Sequence, residues 1–239
     1  MRILAVNDDG ISSPGLEALA GAALGFGEVW VVAPSRQCSG MSQRLTILEE
    51  MELKAVDFPL PVAGAWSVDG TPADCVKLAL ELLMPGKPDY VFSGVNNGWN
   101  CGFDIAYSGT IGACYEAVLN GVPAIAFSAP FEEKLDLAAA HMPAIIAELL
   151  RHGQGTGEIW NVNFPGGGPG KPRGVLWERK PARTQAYQGR YSVRTDEAGR
   201  QLCSQQGVMI GKELADGGSD IAAVLDGYIS VGKLKNFLL

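Results

Sequence analysis

Short apolar runs that alternate with stretches of helical spacing constrain this chain more than any other feature. Ile3 to Val6, Val29 to Ala33, Tyr90 to Phe92, Pro123 to Ser128 and Ile159 to Phe164 read as buried strands. Between them lie helical segments. Ser13-Pro14 reads as a cap with proline in the first helical position, and Leu16, Leu19, Ala20 and Ala23 then repeat at helical spacing. VDGTP (68–72) leads into a stripe of Cys75, Val76, Leu78, Ala79, Leu82 and Leu83 that ends at Pro85-Gly86, and Ile111 to Leu119 and Leu135 to Leu150 follow. Strands alternating with helices imply a parallel sheet with right-handed crossovers. The expected class is α/β, with residues 1–165 forming a three-layer, Rossmann-like catalytic core on a mostly parallel sheet. A chain of 239 residues, 47% of them hydrophobic, can fill such a core.

The pattern changes after Phe164, where PGGGPGKPRG breaks the chain. From Lys171 to Arg200 eight basic residues face three acidic ones, so this stretch is locally positive in a chain of net charge −7. Tyr191 to Val193 and the run from Leu202 flank Asp196-Glu197-Ala198-Gly199, a hairpin turn pattern. GYISV (227–231) reads as a returning strand. Residues 166–239 are therefore expected to form a β-hairpin arm and a C-terminal segment that serve oligomerisation.

The acidic balance argues against a nucleic-acid polymer as partner, because phosphate neutralisation needs a basic surface. Five cysteines form no CxxC pair and leave an odd count, which suits reduced thiols and a cytoplasmic location. The first apolar stretch stops at two aspartates, and Leu135 to Leu150 is interrupted by Asp136, His141, Pro143 and Glu148, so no membrane partner or signal peptide is expected.

Three polar loops fall at strand ends: Asn7-Asp8-Asp9-Gly10, Ser35 to Ser42, and Ser93 to Asn97. Carboxylate, hydroxyl and amide oxygens suit a hard cation such as Mg²⁺ or Mn²⁺, and a cation relieves the repulsion between adjacent aspartates. Tyr107-Ser108-Gly109-Thr110 opens a helix, whose free amides and dipole attract anions. A phosphate held between such a cation and a helix start points to phosphoryl transfer to metal-activated water. There is no GxxxxGK[ST], no GxGxxG after the first strand and no GxSxG. His141 and His152 sit away from these loops and read as structural or solvent-exposed, and the Trp and Met residues read as packing. Two other readings stay open from residues alone: a phosphate- or nucleotide-sensing regulatory module without turnover, and a metal-dependent nucleoside hydrolase. Against the first, Ser93-Gly94 stands where a phosphoacceptor aspartate would end the third strand.

The chain resembles the SurE survival proteins, metal-dependent 5'-nucleotidases. The resemblance rests on NDDG (7–10), AP followed by CSG (33–40), DGTPADCVKLAL (69–80), PDYVFSGVNNGWNCG (88–102), YSGTIGACYEA (107–117), GVPAIAFS (121–128), NVNFP (161–165) and SDIAAVLDGYISV near the end. It implies hydrolysis of nucleoside 5'-monophosphates, with 3'-monophosphates as further substrates, and one divalent cation, Mg²⁺ or Mn²⁺, per subunit. It also implies a swapped arm in a homodimer or homotetramer. Carried over by motif, Asp8 and Asp9 are expected as metal ligands and catalytic residues, joined as ligands by Ser39 and Asn96. Asn100, Ser108, Gly109 and Thr110 are expected to line the phosphate side. The family's Ser-Ile-Thr-Pro-Leu ending is Ser-Val-Gly-Lys-Leu here (230–234), and a histidine found beyond it in some relatives has no counterpart.

Overall fold

A computed structural model describes residues 1–131, 135–166, 171–211, 215–236 and 238–239. In chain order the elements are β1 (Arg2–Val6), α1 (Pro14–Ala23), β2 (Glu28–Pro34), β3 (Leu53–Ala55), β4 (Gly64–Val68), α2 (Pro72–Leu78), β5 (Tyr90–Asn97), α3 (Gly109–Leu119), β6 (Ala124–Ala129), α4 (Asp136–His152), β7 (Glu158–Asn163), β8 (Val175–Leu176), β9 (Tyr187–Thr195), β10 (Gln201–Met209), α5 (Asp220–Leu225) and β11 (Ile229–Lys235). A wider turn (Ala79–Leu83) continues α2, and a 3₁₀ turn (Phe103–Tyr107) precedes α3.

The main sheet runs β3-β4-β2-β1-β5-β6-β7-β11-β8. From β4 to β7 all neighbours are parallel, as the strand and helix alternation requires. Alternate residues of each strand face opposite sides. Ile3 and Ala5 join Val29, Val31, Phe92, Ile125 and Phe127 under α1 and α4. Leu4 and Val6 join Val32, Val91, Ala124 and Ala126 under α2 and α3. Two faces, each covered by a helix pair, give the three layers. Ser13 caps α1 through the Gly15 amide, with Pro14 next, as the sequence pattern predicts.

The structure extends the sequence reading at the sheet's edges. β5 does not stop at Phe92: it continues through Ser93 to Asn97, because β6 runs beside it and pairs Asn96 with Ser128 and Asn97 with Ala129 after a register shift. Gly94 allows that shift. Its φ is +129°, and a Cβ there would collide with the Phe127 carbonyl oxygen. β3 and β4 carry no strong apolar run and are defined by pairing, β4 parallel to β2 and β3 antiparallel to β4. The Ile159 to Phe164 run is not the last strand of the sheet: β11, which includes the GYISV pattern, adds antiparallel to β7 beyond it.

β9 and β10 form the expected hairpin, in register from Tyr187–Met209 to Thr195–Gln201. Asp196 closes the turn by accepting from the Ala198 and Arg200 amides. Most of the arm is exposed, but its root is fixed. Asp220 accepts from the Gly102 and Ala182 amides at 2.9 Å each, and Asp104 accepts from the Ala186 and Tyr187 amides. Trp99, Cys101, Ala182, Ala186, Ile210, Ile221 and Val224 pack around this junction as a third apolar cluster.

Phe127 is fully buried in β6 and meets the Phe92 ring edge-on at 6.1 Å. Phe127→Ala is expected to lower stability by about 3–5 kcal/mol, read as a lower urea midpoint at an unchanged denaturant slope.

Candidate functional site

Strand order reverses around β1, which lies between β2 and β5. In open α/β sheets the crevice at the carboxyl ends of such strands receives ligands. Asn7 shapes the chain there: its amide donates to the Gly10 carbonyl at 3.0 Å and its Oδ1 accepts from the Gly10 amide at 3.2 Å. The closed turn consumes Asn7 and leaves the adjacent Asp8 and Asp9 carboxylates near enough for the charge of Asp9 to act on Asp8.

Asp8 is 3% exposed. Its Oδ1 accepts from the Thr110 hydroxyl at 2.6 Å, and its backbone oxygen accepts from the Cys38 amide at 2.7 Å. Burial pushes its pKa up to about 6, the charge of Asp9 pushes the same way, and the Thr110 hydrogen bond opposes both. Asp9 is half-buried and also raised by burial, against bonds from the Asn97 amide at 2.9 Å and the Gln37 side chain at 3.4 Å. Among the described residues neither carboxylate takes part in an ion pair.

Asp8, Ser39, Asn96, Asn100 and Ser108 line one cavity of about 580 Å³. Ser39 stands on the loop pinned by Cys38 and is exposed. Asn96 spends its amide on the Gly98 carbonyl at 2.7 Å, which turns its Oδ1 to other partners. Asp9 opens instead onto a neighbouring cavity of about 710 Å³, with Ser12, Ser13 and Gln37. A larger groove of about 910 Å³ lies on the far side of Tyr107 and carries no carboxylate. No group of three or more His, Cys, Asp or Glu is gathered among the described residues. The donors at or beyond the carboxyl ends of β1, β2 and β5 are two carboxylates, a hydroxyl and an amide oxygen, the hard oxygen set that Mg²⁺ or Mn²⁺ takes.

The phosphate-side residues divide by role. Ser108 caps α3, accepting from the Ile111 amide at 3.1 Å, so its hydroxyl proton is available to a ligand at the free amides of the helix start. Gly109 and Thr110 lie buried behind Asp8. Thr110 commits its hydroxyl to that carboxylate, and a Cβ on Gly109 would sit 2.9 Å from the Asp8 Cβ. Asn100 is 5% exposed and held from three sides. Its amide N–H donates to Asn163 Oδ1 at 2.9 Å, its side chain donates to the Ser128 hydroxyl at 2.8 Å, and its carbonyl accepts from Asn161 and Asn163. Asn161 and Asn163 thus gain a function that the NVNFP pattern alone did not assign: they position Asn100.

Sequence reasoning missed the cavity's aromatic end. Trp99, Tyr107, Phe131 and Tyr187 line it together with Met209. Trp99 lies between two polar site residues, a signal that could have flagged it. Tyr187 and Met209 arrive from the arm and carry no local signal.

Comparison with known proteins bears on this geometry. The family model described as Survival protein SurE matches residues 3–187. The 5'-nucleotidase SurE of Desulforamulus reducens is 41% identical over 237 residues, covering 98% of this chain and 92% of the relative. That of Pelotomaculum thermopropionicum is 38% identical over 234 residues, 97% of this chain and 88% of the relative. The 5'-nucleotidase SurE 1 of Thermus thermophilus is 40% identical over 235 residues, 97% and 90% of the two chains. Among solved structures, the crystal structure of the SurE protein from Aquifex aeolicus superposes with a TM-score of 0.82 at 37% identity, covering 98% of this chain and 93% of that one.

The contact between Asp8 and Gly109 can be tested directly. Gly109→Ala forces a methyl group into Asp8 and is expected to cost about 1–3 kcal/mol in thermal or urea unfolding. Gly217→Ala, which meets nothing within 4 Å, is expected to stay within about 0.5 kcal/mol of the parent.

Proposed function

The chain belongs to the SurE family, and on that premise we propose that it is a 5'-nucleotidase, hydrolysing nucleoside 5'-monophosphates, and secondarily 3'-monophosphates, to nucleoside and phosphate with one bound divalent cation. The observation that carries this reading is the buried, unpaired carboxylate of Asp8 on the same cavity as the start of α3. One feature suits a cation and the other a phosphoryl group.

Asp8, Asp9, Ser39 and Asn96 would hold the cation, which when bound polarises a phosphoryl oxygen and lowers the pKa of water beside it. Thr110 fixes the direction of the Asp8 carboxylate through its 2.6 Å bond. The free amides at the start of α3 and the Ser108 hydroxyl receive phosphoryl oxygens, and the helix dipole favours the charge. Asn100, immobilised by Asn161 and Asn163, borders the same space. Water attacks phosphorus, the bond from phosphorus to the ester oxygen breaks, and the nucleoside leaves with a proton on that oxygen. Histidine plays no part in the described site: His152 pairs with Glu148 at 3.1 Å on α4, and His141 lies on the same helix.

Assembly with further copies of the chain is part of the proposal. Tyr191 and Val193 lie on one face of β9, 75% and 61% exposed, and the arm pairs with no other described strand. An isolated two-stranded hairpin is marginal in water, so a homodimer or homotetramer that covers it is favoured. The five thiols are all free, which fits a reducing compartment such as the cytoplasm. No helix of the described residues is long and apolar enough to cross a membrane.

Metal-stripped protein is expected to release no phosphate from nucleoside monophosphates until Mg²⁺ or Mn²⁺ is added back. Asp9→Ala is expected to lose at least about a hundredfold in that release, since losing even an outer partner of a ligand costs 10–100-fold, while melting close to the parent. Full activity in a folded Asp9→Ala protein would overturn the assignment. Replacing residues 190–206 by an Asn-Gly turn, which leaves Gly189 opposite Gly207, is expected to reduce the light-scattering mass to that of a smaller assembly.

A further inference from the structure

The cavity onto which Asp8 opens has two unlike ends. Its aromatic end contains two kinds of ring. Trp99 and Tyr187 are packed into the fold: Trp99 is 5% exposed and donates its indole N–H to the Phe164 carbonyl at 2.7 Å, and its backbone amide donates to the Tyr187 phenol at 3.2 Å. Tyr107 and Phe131 differ, being 58% and 56% exposed. Neither ring stacks on another aromatic side chain among the described residues. Both nevertheless stand on anchored backbone. Ser42 ties down the end of the 3₁₀ turn, its amide donating to the Tyr107 carbonyl at 3.0 Å and its hydroxyl to the Ala106 carbonyl at 2.8 Å. Phe131 lies two residues beyond Ala129 at the end of β6, whose carbonyl accepts from the Gly98 amide at 2.9 Å.

We infer that Tyr107 and Phe131 form a stacking platform for the base of the nucleotide. The inference rests on the nucleotidase reading and adds how the leaving nucleoside is recognised. Tyr107 directly precedes Ser108, and consecutive Cα atoms are about 3.8 Å apart. A ligand whose phosphoryl group sits at the start of α3 therefore has its sugar and base within reach of the Tyr107 ring. Exposed rings lining such a cavity match the planar, apolar face of a base. The one carboxylate at this end, Asp104, is committed to the Ala186 and Tyr187 amides and to the Gln185 side chain. Stacking without edge readout accepts every base, because each has a π-face. The platform therefore selects nucleotides over other phosphate esters and discriminates weakly among bases.

The test compares kcat/KM for several purine and pyrimidine nucleoside 5'-monophosphates with that for ribose 5-phosphate, on the full chain with its cation. The parent is expected to prefer every nucleotide. Tyr107→Ala and Phe131→Ala are each expected to shrink that preference about tenfold, mainly through KM and in parallel across bases. Tyr107→Trp and Phe131→Tyr, which keep a ring, are expected to retain it. An undiminished preference in both alanine variants would overturn the platform, and so would a loss confined to one base. A parent that hydrolyses ribose 5-phosphate as well as any nucleotide would overturn it while leaving a phosphatase. A parent that hydrolyses none of these esters would overturn the nucleotidase reading, and the platform with it.

Discussion

One desolvated carboxylate organises this molecule. Asp8 is carried to the end of the strand around which the sheet reverses, and burial holds its pKa near 6 instead of the ordinary 3.8. That difference corresponds to about 3 kcal/mol against the charged form, a cost that rises as the carboxyl ionises above its unfolded pKa. The surrounding residues exist in part to make that position possible. Gly109 leaves room for Asp8, Thr110 turns it, and the Cys38 amide fixes its backbone and with it the loop that presents Ser39. Among the described residues no cationic side chain pairs with the Asp8 carboxylate.

The second organising feature is the junction at which the arm leaves the core. Asp220 and Asp104 satisfy four backbone amides between them, and the third apolar cluster packs around the crossing. Because Trp99 belongs to that cluster and Trp99 and Asn100 are consecutive, the same packing that roots the arm also sets the wall of the candidate site. Contacts made on the root of the arm would thus act on a segment that borders the candidate site.

Much of the core was legible because burial leaves a periodic record. Two-residue alternation and helical spacing follow from backbone geometry alone, so β1, β2, β6, β7, α1, α3 and α4 can be read before any packing is known. β4 and the extension of β5 could not be. Gly64-Ala65-Trp66-Ser67-Val68 and Ser93 to Asn97 are strand only because β2 and β6 lie beside them. Motifs at strand ends were legible for a related reason: a sheet of this topology brings those ends together whatever the loops contain, and five of the expected residues do share one cavity.

The sequence by itself determined the layers, the parallel sheet, the arm and the oxygen-rich character of the site, because each depends on neighbours close in the chain. Only the tertiary structure decided which oxygen does what. Thr110 reads as a phosphate contact beside Ser108, yet its hydroxyl is bound to Asp8 from 102 residues away in sequence. Asn7 looks like a ligand beside two aspartates and is consumed by its own turn. Tyr187 enters the site from the arm, 88 residues beyond the Trp99 amide that it accepts from. Hydrogen-bond commitment and accessibility are properties of the packed fold, and local pattern carries no record of them.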